Sequence, residues 1–270
     1  MRPGPLGGWP GALALLALLG CGPVAADQVL LLVPGHLGTA ADWSRSGFDS
    51  ALVEAGWQNG GTLAKAQTAA PRAAGARAFY TVSLSGLAPL QVQAGNLADL
   101  IHALQLRRDD QLIVVGHSVG GVVARLAMVQ QPHIGVDTLV TIAAPNLGAP
   151  LACVGAELGR SITEALPSLG QIPSVSELAR LYEEIGDAGP GSLLAWLNEQ
   201  PHPPALYVSV VRPEDPGLIS FDPIVPAWSQ SLGSVPALSG RARVEPVPGM
   251  HWLGPEDASW LLRFLAEPGI

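Results

Sequence analysis

At Gly116-His117-Ser118-Val119-Gly120-Gly121 a serine stands between glycines. A short apolar run, Gln111 to Val115, precedes it, and an apolar helix-length segment, Val119 to Gln130, follows. With 32 Gly among 270 residues a Gly-x-Ser-x-Gly match is weak by itself, so its context has to carry the reading. Strand, tight turn and helix in that order lift a serine hydroxyl clear of a sheet. The turn strains the serine backbone, and side chains at Gly116 or Gly120 would collide with the neighbouring strand or helix. The hydroxyl then sits at the carboxyl end of the sheet and the positive end of a helix, where an oxyanion is stabilised. The chemistry this suits is nucleophilic attack by Ser118 on an acyl group.

A serine hydroxyl is a poor nucleophile at neutral pH and needs a base, normally a histidine held by a carboxylate. Six histidines compete. His102 lies mid-helix, His133 follows Pro132 after a helix, and His202 sits in a Pro-rich loop; each reads as a surface or packing residue. His117 adjoins the serine and points elsewhere on so tight a turn. His36 follows Gly35 after the first strand and suits an oxyanion loop better than a base. His251, in Pro248-Gly249-Met250-His251-Trp252, lies past the last strand, where loops at the carboxyl ends of strands converge. It is the expected base. The orienting acid should fall between serine and histidine in the chain. Asp222, in Asp222-Pro223-Ile224-Val225-Pro226, is the preferred residue, with a helix N-cap as its bland alternative. Asp215, in a Pro-rich turn, is the alternative acid.

Around these residues the chain alternates two patterns. Val29 to Val33, Phe79 to Leu84, Gln111 to Val115, Thr138 to Ala143, Leu206 to Val211 and Ala242 to Val247 are apolar runs of strand length. Continuous runs of this kind mark strands covered on both faces. Between them lie amphipathic segments at Ser44 to Ala55, Val92 to Leu106, Val119 to Gln130 and Asp257 to Leu265. Strand alternating with helix implies an α/β fold with a mostly parallel sheet and helices on both faces. Gly56 to Ala78, rich in Gly and Ala, reads as loop or frayed helix. From Leu151 to Pro204 no strand is evident, and helix signals appear at Ser174 to Ile185 and Gly191 to Leu197. This insertion, residues 151–204, reads as a helical cap over the sheet without a core of its own, or as an extended crossover.

The chain opens with Arg2, an apolar run from Ala12 to Leu19 and small residues ending at Ala26, the layout of a secretory signal peptide over residues 1–26. Leu18-Leu19-Gly20-Cys21 is similar to a bacterial lipoprotein box, so Cys21 lipidation and membrane association form the alternative. Either route places the mature residues 27–270 outside the cytoplasm, secreted, periplasmic or anchored. Cys153 is then the lone mature thiol, and no internal disulfide is available. With 48% apolar and 13% charged residues, the chain is not a disordered one. Its net charge of −8 argues against a nucleic-acid partner. No metal or cofactor motif is evident.

Five segments in order resemble the α/β-hydrolases of the bacterial lipase and esterase type, including the lipase-like relatives of inositol deacylases. They are Val33 to Gly38, Gly116 to Gly121, Thr141 to Pro150, Asp222 to Pro226 and Gly249 to His251. Pro34 and Asn146 stand where many relatives have histidine. The resemblance implies Ser118 as nucleophile, His251 as base and Asp222 as the acid that holds it. It also implies an oxyanion hole from the backbone N–H groups of His36 and Val119. The implied reaction is hydrolysis of a carboxylic ester through an acyl-enzyme, with no cofactor. The apolar cap favours a lipid or long-chain ester. Acyl transfer or thioester cleavage by the same residues is the enzymatic alternative, and a non-catalytic binding protein on the same fold is the other.

Overall fold

The computed structural model describes residues 27–36, 38–65, 76–165, 173–215 and 220–270. The expected signal peptide and Cys21 lie outside the described residues. Seven parallel strands form one sheet: β1 (Gln28–Val33), β2 (Gln58–Leu63), β3 (Arg77–Val82), β4 (Gln111–His117), β5 (Thr138–Ile142), β6 (Leu206–Val211) and β7 (Ala242–Pro246), in the order β2-β3-β1-β4-β5-β6-β7. The strand sequence starts mid-sheet at β1, goes to one edge at β2, returns through β3 past β1 to β4 and then builds toward the other edge. The order therefore reverses between β1 and β4, where strand-end loops part and leave a crevice.

Alternation explains the apolar runs. Val29, Leu31 and Val33 of β1 join the buried cluster on one face, with Leu97 and Ile101 of α3 (Leu90–Ala103) and Val122 and Leu126 of α4 (Val119–Gln130). Leu30 and Leu32 join the cluster on the other face. There they meet Trp43 of α1 (Ala40–Arg45), Phe48 and Leu52 of α2 (Phe48–Glu54), and Leu261 and Phe264 of the C-terminal helix. Each such buried leucine contributes roughly 2 kcal/mol by leaving water.

Two expectations are corrected. The stretch read as loop or frayed helix contains the edge strand β2, with a register shift between Asn59 and Thr62. Its residues are mostly exposed, so no apolar run announces it, and Gly60 is required because a Cβ there would lie 2.1 Å from the Tyr80 ring. The segment Ser44 to Ala55 is two helices rather than one, broken at Gly47, whose φ is 84°.

Between β5 and β6 lie α5 (Pro150–Ala165), α6 (Pro173–Gly186) and α7 (Leu193–Glu199). Helices α5 and α6 pack on one another. Ala152 of α5, Leu181 and Ile185 of α6, and Leu194 and Leu197 of α7 belong to the same buried cluster as α3 and α4. Two helices follow, α8 (Ala227–Gln230) and, after β7, α9 (Pro255–Leu265). Among the described residues no helix is long and apolar enough to cross a membrane.

Candidate active site

Ser118 stands between β4 and α4 as the helix N-cap, and its backbone adopts φ 50°, ψ −127°, a region that L residues rarely visit. The chain enforces that turn from both sides. A Cβ on Gly116 would lie 2.5 Å from backbone atoms of Gly121, and one on Gly120 would lie 2.4 Å from the Pro34 carbonyl and 2.6 Å from that of Val33. Helix α4 thus starts hard against both its own strand and the end of β1. The Ser118 N–H donates to the Ile142 carbonyl at 2.8 Å, which ties the turn to β5 as well.

Three loops at the carboxyl ends of strands bring the other groups in. The Ser118 hydroxyl lies 3.0 Å from His251 Nε2, and His251 Nδ1 lies 2.8 Å from Asp222 Oδ2. With Nδ1–H donating to the carboxylate, Nε2 is left to accept the serine proton. The His251 and Asp222 side chains are buried. The second oxygen of Asp222 accepts from the N–H groups of Ile224 and Val225 at 2.8 and 2.9 Å, and Oδ2 also accepts from Gln230 Nε2 at 3.1 Å. The N-cap alternative for Asp222 is corrected: Pro226 caps α8, while Asp222 Oδ1 closes the turn through Val225 and Oδ2 serves His251. Asp215 is exposed and sits in a backbone bridge with Ser220; Asp222 is the carboxylate on the imidazole.

The loop after β1 closes the other side. His36 and Val119 both line the cavity above Ser118. The Val119 N–H opens α4, where an amide has no intrahelical acceptor. Gly35 abuts the serine so closely that a Cβ would stand 3.0 Å from Ser118 Cβ. The His36 ring turns away, donating from Nδ1 to the Gly86 carbonyl at 3.3 Å and meeting Tyr182 of α6 edge-on at 5.5 Å. Burial holds its pKa below the ordinary histidine value, against the raising effect of the Gly86 hydrogen bond. It is a neutral packing ring.

Sequence reasoning keeps His117 in the serine turn with its side chain pointing elsewhere, and the structure puts that side chain beside the base. Its Nε2–H donates to the His251 carbonyl at 2.8 Å, and the two rings are 5.3 Å apart. Burial pushes its pKa down to about 4, so it is uncharged at neutral pH. Sequence reasoning also missed Arg212 and Gln230, both buried. The signal available for Arg212 is a cation directly behind an apolar strand, with no solvent-facing pattern to account for it. Among the described residues no group of three or more His, Cys, Asp or Glu is placed to hold a metal ion.

The cavity over Ser118 has a volume of about 800 Å³ and is mainly apolar. Leu151, Ala152 and Gly155 of α5 and Tyr182 and Ile185 of α6 form one wall; Ile224, Val225, Trp252 and Leu253 form another. Asp42, Arg45 and Ser46 add polar lining. Such a site can seat an acyl compound with its carbonyl at the serine and its chain along the helices. Water would be displaced from most of that length.

Comparison with known proteins bears on the fold and the family. Over 58 residues, 22% of its length, the chain is 45% identical to a GPI inositol-deacylase of Cryptococcus neoformans var. neoformans serotype D; the match spans 8% of that protein. A metagenomic carboxyl esterase, MGS0156, superposes with a TM-score of 0.53 at 19% identity, covering 92% of this chain and 70% of the esterase. The mature form of lipase BlEst2 from Bacillus licheniformis gives 0.52 at 15% identity, covering 90% and 92%. At such identities these two establish the fold, that of the α/β-hydrolases. Residues 25–160 match the model of the PGAP1-like alpha/beta domain, from before β1 through the serine turn and into α5. That match takes in half of the chain, and the protein belongs to the PGAP1-like alpha/beta domain family.

Proposed function

We propose that this protein is a serine hydrolase of carboxylic esters, acting on lipid or long-chain acyl substrates. The observation that carries the reading is the 3.0 Å approach of His251 Nε2 to a serine held at φ 50° on the floor of an apolar cavity. His251 takes the Ser118 proton as the hydroxyl attacks the ester carbonyl, and a tetrahedral oxyanion forms. Backbone N–H groups of His36 and Val119 receive that charge, each worth about 3 kcal/mol in the transition state. Asp222 stabilises the imidazolium, which then protonates the departing alcohol. Water repeats the sequence on the acyl-serine and frees the acid. Helices α5 and α6 serve as the cap in this reading. The GPI inositol-deacylase similarity supports a lipid ester without naming it. Export through residues 1–26, with or without lipid on Cys21, belongs to the same proposal.

The test is turnover of p-nitrophenyl esters from short to long acyl chains. Wild-type protein turns them over with a preference for longer chains. Ser118→Ala and His251→Ala lower kcat by about ten-thousandfold or more, Asp222→Ala by about a thousandfold or more, and Asp215→Ala changes it by no more than about twofold. Equal activity in Ser118→Ala and wild type would overturn the proposal, and the reverse order of the two aspartates would move the acid to Asp215.

A further inference from the structure

His251 is borne by the segment Val247 to Leu253, which belongs to no strand or helix and must be held by something other than a backbone ladder. Arg212, the first residue past β6 and 1% exposed, reaches across to it. Its Nε donates to the Met250 carbonyl at 2.7 Å. Its Nη1 and Nη2 grip Asp257 of α9 at 2.6 and 2.8 Å and point their remaining hydrogens at the carbonyls of Val247 and Trp252, at 3.4 and 3.5 Å. All five guanidinium donors are thus directed to the loop or its anchor, a planar fork that lysine cannot reproduce. Asp257 is fixed in turn, because its Oδ2 also accepts the Gly254 N–H at the start of α9. The Arg212 N–H donates to Gln230 Oε1 at 2.8 Å, and the other end of that amide holds Asp222 Oδ2 and the Val225 carbonyl. One residue therefore joins the loop of the acid to the loop of the base.

We propose that Arg212, anchored by Asp257, is a positioning residue that sets the place of the His251 ring against Ser118. The proposal rests on the reading of Ser118 and His251 as reacting groups. A buried ion pair kept only for stability has little to recommend it, since an apolar pair of the same volume serves as well. The donors here converge instead on the one loop that carries the base.

The test is the double variant Arg212→Met with Asp257→Asn, which removes both buried charges and leaves an acceptor for the Gly254 N–H. Expected are a fall in kcat of at least about tenfold with KM within about twofold, as for a displaced base with an intact cavity. Hydrogen exchange of the 247–254 amides should quicken by about tenfold or more while that of α4 is unchanged. Wild-type kcat together with wild-type exchange in this variant overturns the proposal. Should it fail to fold, Arg212→Lys keeps the charge opposite Asp257 and loses the Nε donor to Met250. An intermediate loss of kcat is then expected, and wild-type kcat overturns the proposal. A wild-type protein inert toward every ester would defeat the functional reading alone, because the exchange measurement still decides whether Arg212 holds the loop.

Discussion

Ser118 and His251 meet at 3.0 Å but are placed by opposite means. The serine is set by backbone against backbone: two glycines let α4 press on β4 and on the end of β1, and the Ser118 N–H is spent on β5. The histidine sits on a loop held mostly by side chains, namely Arg212, His117, Ser220 and, through the acid, Gln230. Backbone positioning is stiff and tolerates no added atom. Side-chain positioning can be loosened one contact at a time, so mutations in the two halves should fail in different ways.

The largest effect is expected in the backbone-held half. Gly120→Ala puts a methyl group 2.4 Å from the Pro34 carbonyl, with no flexible neighbour to give way. It should cost about 3 kcal/mol or more of unfolding free energy, read from denaturant melts, and remove activity with it. Gly95→Ala on α3 meets nothing within 4 Å and should instead raise stability by about 0.5 to 1 kcal/mol. Similar melts for the two variants would remove the contrast.

A smaller effect belongs to the side-chain-held half and to pH. Unfolded, a histidine titrates near 6.5; in the fold, burial holds His117 at about 4. Between those values the unfolded chain binds the additional proton, so unfolding free energy rises with pH there. The stability linked to His117 is complete above pH 6.5 and is lost as pH falls toward 4. His117→Gln, which retains an N–H donor toward the His251 carbonyl, should flatten that slope by about 1 kcal/mol per pH unit at pH 5.5. An unchanged slope would mean that His117 does not titrate as its burial requires. His202, likewise depressed to about 4 chiefly by burial, supplies a second part of the slope away from the site.

The same division decides what could be read from sequence. The turn at Ser118 is legible because backbone crowding writes itself as glycine at fixed offsets from a strand and a helix. Strands β1, β4 and β5 are legible because burial on both faces makes their centres largely apolar. Strand β2 is not, since an edge strand exposed along most of its length needs no apolar run, and Gly60 and Gly61 disguise it further. His251 and Asp222 were placed by chain order and by their positions after strands. The partners of Arg212, Gln230 and His117 were out of reach, because each depends on which distant group a side chain meets. Cation, amide and imidazole alone do not encode that partner. The two-helix form of 40–54 turns on one left-handed glycine, Gly47, which composition does not separate from the others.

Covalent labelling with a serine-directed phosphonate, located by peptide mass spectrometry, tests the central claim most directly. Wild-type protein should take up one equivalent at Ser118, His251→Ala should react at least about a hundredfold more slowly, and Ser118→Ala should stay unlabelled. A wild-type protein that remains unlabelled, or that carries the adduct on another residue, would contradict the assignment of Ser118 as an activated nucleophile.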